Sequence, residues 1–125
     1  MLHRIAYIWK TEWTKVYSES GINVYFKNSE VIKKNNEPFN FIIFKIVNNT
    51  NSIKNIHAIV NTKFGISGGD IINNSKEFNL TIPANDYIVD KSERGETKIR
   101  VPVNYKAKSS GTPLMEININ NITIQ

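Results

Sequence analysis

The chain contains no cysteine, which excludes disulfide staples, thiolate nucleophiles and cysteine-ligated zinc. It has only two histidines, His3 and His57. Neither has a second histidine or a cysteine with which to complete a metal set or a nucleophile–base pair. A Gly-x-Ser-x-Gly elbow is also missing, because Gly65-Ile66-Ser67-Gly68 has the wrong spacing. No run approaches the roughly 18 consecutive apolar residues of a spanning helix. The first residues carry Arg4 and a short apolar patch, Ile5-Ala6-Tyr7-Ile8-Trp9, without the apolar core of about 7–15 residues that a secretory signal needs. No catalytic residue, cofactor or metal ligand is therefore assigned, and an enzyme is not expected.

What is present is the material of one folded domain. At 125 residues, with 40% apolar and 22% charged side chains, the chain can bury one core without staples but not two. The net charge is +5, yet the lysines are dispersed along the chain and the densest pair, Lys33-Lys34, falls in a turn. That dispersion points to a solvated basic surface, and nucleic acid is not expected as a partner. Asparagine is abundant, so the glycosylation triplets at Asn48, Asn73, Asn79 and Asn121 are the kind that arise by chance.

Strand signals dominate the chain. Phe39–Asn48 is apolar on both alternating faces and ends in a polar turn, the pattern of a central strand buried on both sides. Around it the alternation predicts strands over Trp13–Tyr17, Ile22–Lys27, Ile56–Phe64, Glu77–Ile82, Asp86–Asp90, Ile99–Tyr105 and Leu114–Ile124. Ser18-Glu19-Ser20-Gly21 reads as a four-residue hairpin connection and Asn28–Pro38 as a polar loop. Pro102 calls for an edge position or a bulge, since proline cannot donate to a ladder. In the last strand Ile117 and Ile119 fall in one phase and Ile122 and Ile124 in the other, which predicts a β-bulge at Asn120-Asn121 or a bend there where the strand changes neighbours. Residues 1–12 read as an N-terminal arm or short helix, because Ile5, Ile8, Trp9 and Trp13 have helical spacing. Residues 13–125 then form one all-β, antiparallel β-sandwich domain of seven or eight strands.

Candidate sites are few. His57 alternates with Ile56 and Ala58 and is expected on the solvent face. The glycines of Gly65–Asp70 lack the following helix of a phosphate loop. Asp70, Asp86, Asp90 and Glu93 lie on loops that could meet at one end of a sandwich and offer oxygens to calcium. Tyr17, Tyr25, Tyr87 and Tyr105 are the candidate binding surface, since a tyrosine ring offers apolar area with a polar tip. Trp9 and Trp13 read as core or lid residues.

Three stretches carry a resemblance: Glu12-Trp13-Thr14-Lys15-Val16-Tyr17 with Gly21-Ile22-Asn23-Val24-Tyr25; Phe41–Thr50, ending Val47-Asn48-Asn49-Thr50; and Phe78-Asn79-Leu80-Thr81-Ile82-Pro83-Ala84-Asn85. Together they resemble small bacterial Ig-like and fibronectin III-like β-sandwich domains of unassigned function, often exported or attached to the cell surface. A rich strand core beside an absence of catalytic constellations points to a non-catalytic binding or assembly module, an Ig-like sandwich that engages a protein partner through loops or an exposed strand edge, with the last strand or the Pro102 strand as the candidate edge. Two alternatives remain beside it: a structural subunit of a phage particle or secretion apparatus, and a carbohydrate-binding module with a glycan partner.

Overall fold

A computed structural model describes residues 2–5, 11–32, 38–66, 68–89, 100–103 and 112–125, and every regular element among them is a β-strand. In chain order these are β1 (Leu2–Ile5), β2 (Thr14–Glu19), β3 (Ile22–Ile32), β4 (Pro38–Asn48), β5 (Lys54–Phe64), β6 (Ile72–Ile82), β7 (Asp86–Val89), β8 (Arg100–Pro102) and β9 (Leu114–Ile124). They build two antiparallel sheets, one ordered β1-β9-β5-β6 and the other β2-β3-β4-β7, with β8 also on β4. Val89 pairs with Lys45 and Arg100 pairs with Ile43, so β7 and β8 run along the same side of β4 as two pieces of one edge. Nine segments thus occupy eight strand positions, four in each sheet.

The sheets meet through a shared apolar core. Ile22, Ile42 and Phe44 of the second sheet join Phe64, Ile82 and Ile117 of the first, each no more than 2% exposed. Burial of a side chain of this size is worth about 1.5–3 kcal/mol. The central strand behaves as its sequence requires. Phe41, Ile42, Ile43 and Phe44 are all buried in succession, which is only possible where both faces of the strand are covered. Pro102 lies on β8, which among the described residues pairs with β4 alone, so it occupies an edge there.

The bulge in the last strand is present. His57 pairs with Thr123 and Ile59 with Asn120, so Asn121 and Ile122 oppose the single residue Ala58. Asn121 takes a positive φ of 51°, the left-handed geometry that asparagine tolerates better than most side chains.

Leu2–Ile5 is a strand paired with β9, whereas the helical spacing of Ile5, Ile8, Trp9 and Trp13 runs through residues 6–10, which lie outside the described residues. Three expectations are corrected. The connection between β2 and β3 is the two-residue turn Ser20-Gly21, with φ of 52° and 79°, and not four residues. Two positive φ values match the right-handed twist of the flanking strands. β3 continues to Ile32 where a polar loop was expected from Asn28, since ladder hydrogen bonds form regardless of side-chain polarity. β6 begins at Ile72, five residues before Glu77, with Asn73–Glu77 exposed.

Asn48 secures the points where the chain changes sheets. It is fully buried at the end of β4. Its Nδ2 donates to the carbonyls of Ser52, Ile82 and Pro83 at 2.9–3.0 Å. Its Oδ1 accepts from the Thr50 amide at 2.9 Å and the Thr50 hydroxyl at 2.6 Å. One side chain therefore ties the β4–β5 crossing to the β6–β7 crossing. Gly21 packs on the same end, where the Asn49 amide donates to its carbonyl at 2.9 Å and an added Cβ would fall 2.5 Å from Thr50 Cγ2. Asn48→Ala is expected to lower the urea unfolding free energy by about 2–4 kcal/mol, through several buried groups left without partners. Asn49→Ala, at an exposed side chain, should stay within about 0.5 kcal/mol.

Candidate functional site

Side chains alternate between the faces of a strand, so register decides which distant residues share a surface. On the outer face of the second sheet Tyr25 stands directly opposite Lys45. Lys45 in turn pairs with Val89, which places Tyr87 one diagonal step away on β7. Thr14 pairs with Phe26, and continuing that register by one residue sets Trp13 beside Lys27. The result is a cluster in which Lys45 Nζ lies 5.1, 5.5 and 5.8 Å from the ring centroids of Trp13, Tyr25 and Tyr87. Lys27 Nζ lies 4.7 Å from Trp13. All five side chains are half-buried. A cation over an aromatic face is stabilised by the ring quadrupole, by about 0.5–1 kcal/mol at exposed sites.

The same face also carries Lys15, opposite Tyr25, and Arg100, opposite Ile43. Arg100 lies 5.2 Å from the Phe41 ring. Among the described paired positions of this face there are four cations and no carboxylate. Glu19 pairs with Ile22 and Asp86 with Asn48, which sets both on the opposite parity.

Two of the four candidate tyrosines, Tyr25 and Tyr87, therefore belong to one surface. Tyr17 does not join them. The β2–β3 register shifts between Lys15 and Tyr17, and this bulge turns Tyr17 toward the core, where it is 8% exposed. Its hydroxyl donates to Glu19 Oε2. Burial, helped by that carboxylate, pushes the phenol up to about 12. Tyr105 and Trp9 lie outside the described residues. Trp13, Lys27 and Lys45 are members that sequence reading missed. The only available signal was the alternation of Tyr25 with Lys27, which gives the face of one strand but not its neighbours.

The outer face of the first sheet is different in character. His57 Nε2 donates to Glu77 Oε1 at 3.0 Å, which with Asn79 holds the Glu77 carboxyl below its usual range. Asn55, Asn79, Thr81 and Thr123 line a shallow polar groove around His57. Lys63 pairs with Glu116 at 3.2 Å.

Three other features lie outside these two faces. Tyr17, Val24, Ile46, Ile56, Leu80 and Ile122 line an apolar cleft between the sheets. Of the candidate calcium oxygens, those of Asp70 and Asp86 do not converge. Asp70 lies between β5 and β6 and Asp86 after β6, so the antiparallel path sets them at opposite ends of a strand about 35 Å long. Asp90 and Glu93 lie outside the described residues, and among the described ones no three acidic or histidine side chains gather. Finally, β6 ends the first sheet. It pairs with β5 in unbroken register from Ile72 to Ile82 and has no strand on its other side among the described residues.

No known family model, characterised protein or solved structure matches the chain. The site is therefore read from its own chemistry.

The Tyr17 geometry sets an alkaline signature. Its proton is held to about 12 in the fold but leaves near 10 in an unfolded chain. Stability from this group is thus fully present below pH 10 and is lost as pH rises toward 12. Ultraviolet titration should show one late tyrosine step that disappears in Tyr17→Phe, and alkaline unfolding of that variant should be less steep over the same window.

Proposed function

We propose that the chain is a non-catalytic binding or assembly module that takes up an extended segment of a partner protein along the free edge of β6. The observation that carries this reading is the edge itself. Eleven residues present an uninterrupted row of backbone donors and acceptors, with no bulge in the ladder and no proline before Pro83. Long, regular, unpaired edges are templates for strand addition, and natural proteins blunt them where pairing is unwanted. Lys76 and Glu77, adjacent on the edge, offset one another in charge, so the backbone would supply the affinity.

The earlier candidate edges rank lower. β9 lies between β1 and β5, so both its sides are taken, and β8 offers only three residues. A phage or secretion-apparatus subunit with residues 1–12 as an arm also fits less well, because β1 pairs with β9 of its own chain.

An Ig-like or fibronectin III-like class is part of the same proposal. In the immunoglobulin arrangement strands B and E are neighbours in one sheet and C and F in the other. The support here is that β4 neighbours β7 while β5 neighbours β9, giving the same interlock with β4, β5, β7 and β9 in the places of B, C, E and F. The departure is that β1 fills the place beside F where strand G would run. An exported or surface location comes with the resemblance of the three sequence stretches and is proposed on that basis.

In an antiparallel strand successive residues point their N–H groups to opposite sides. Of Asn74→Pro and Ser75→Pro, one must therefore leave the β5 ladder intact, and circular dichroism will identify it as the folded variant. A photo-crosslinking residue at Lys76 is expected to give a discrete protein adduct in the native cells, absent for the same probe at exposed Ile53 and lost in the folded proline variant. An adduct that persists in that variant, or none from β6, overturns the proposal.

A further inference from the structure

The flank of the sandwich beside β6 is not closed. On the parity of β6 that faces the core, Phe78 and Ile82 are buried, yet Asn74 and Lys76 on the same parity are exposed. These two pair with Thr62 and Val60 of β5, both buried. A cavity of about 70 Å³ lies there, walled by Val60, Thr62, Phe64 and Phe78 on the first sheet and by Val101 and Pro102 of β8 on the second. The exposed part of its lining, Asn74, Ser75 and Lys76, belongs to β6, so its mouth opens at that edge. Lys76 does not fill it, because its side chain is exposed and its ammonium lies 5.3 Å from the Phe78 ring centroid.

A strand added to β6 turns the residue directly opposite Lys76 to the same face, which points it between the sheets into this mouth. We infer, as a refinement that rests on strand addition at β6, that the partner segment carries at this position a short β-branched residue, valine or threonine, whose side chain fills the cavity and closes the flank. Size selects it. A dry cavity of about 150 Å³ takes up benzene, so half that volume admits a short forked side chain and excludes a ring. Charge is excluded as well, since a carboxylate could reach the Lys76 ammonium only by turning out of the cavity, which leaves the apolar walls uncovered. A side chain forked at Cβ also suits a strand and has little rotamer freedom to lose on burial.

Two measurements separate the cavity from the edge. Xenon under pressure, followed by methyl NMR of the unaltered protein, should shift the Val60, Thr62 and Val101 methyl signals saturably. Thr62→Ile, which fills the space, should abolish the shift. Capped eleven-residue peptides of alternating glutamine and serine, with the central serine replaced by valine, threonine, phenylalanine or glutamate, are then titrated against the intact protein by NMR. Expected is binding of the valine and threonine peptides at least tenfold tighter than the other two, with shifts at the β6 amides and Val101 methyls, and loss of that preference in Thr62→Ile. Equal binding of all four with shifts at the β6 amides alone, or xenon that leaves those methyls unmoved, overturns the side-chain assignment while strand addition stands. Tightest binding of the phenylalanine or glutamate peptide overturns it too. Self-association through β6 that rises with protein concentration gives the edge to a second copy and likewise overturns it. So does a lack of binding by every peptide, and the crosslinked adduct from position 76 then tells whether strand addition fails with it.

Discussion

The structure depends on one buried amide. A sandwich is held not only by its core but by the places where the chain leaves one sheet for the other, since there the backbone loses its ladder partners and must find new ones. Asn48 meets that requirement with a single side chain, donating to carbonyls on the β4–β5 and β6–β7 crossings while accepting from Thr50. Its complete burial makes these bonds short of competition from water. Around it the β2–β3 turn packs through Gly21, and the Asn85 amide donates to the Thr50 carbonyl at 3.0 Å. Three connections are thereby fixed at one end of the molecule.

Fixing that end fixes register along β4, and register makes the aromatic–lysine face. Lys45 is three residues from Asn48 on the same strand. The ladders that place Tyr25 and Tyr87 near it run from the anchored end. Because a strand turns its side chains over with each step, a slip of one residue would bury Lys45 in the core and expose Phe44. On the opposite face His57 and Lys63 pair with Glu77 and Glu116, so among the described residues the two outer surfaces differ in how their polar side chains are partnered although the chain's composition distinguishes neither.

Much of the architecture was legible in residues. Phe41–Phe44 reads as doubly buried because it is apolar at every position. The slip between Ile117-Ile119 and Ile122-Ile124 reads as a bulge because only an inserted residue can return both pairs to one face. Pro102 reads as an edge because it lacks a donor. Where reading failed, the strand was polar: β3 beyond Asn28 and β6 before Glu77 have no alternation to detect, and they are strands because a neighbour supplies hydrogen bonds. Two of the five side chains of the candidate face were legible in the same sense. Tyr25 and Tyr87 stand out as amphipathic rings, but Tyr17 was indistinguishable from them until a bulge turned it inward.

The sequence by itself determined the class of structure. Period-two apolar alternation, closely spaced turns and a lack of helical runs admit little besides antiparallel strands, because burial must match the side-chain period of the backbone. Only the tertiary structure decided the strand order, the pairing of Leu2–Ile5 with the far end of the chain, and the gathering of residues 13, 25, 27, 45 and 87 on one face. Those outcomes rest on hydrogen bonds between backbones tens of residues apart, and backbone groups are the same in every residue. No local pattern of side chains can announce which two strands will meet.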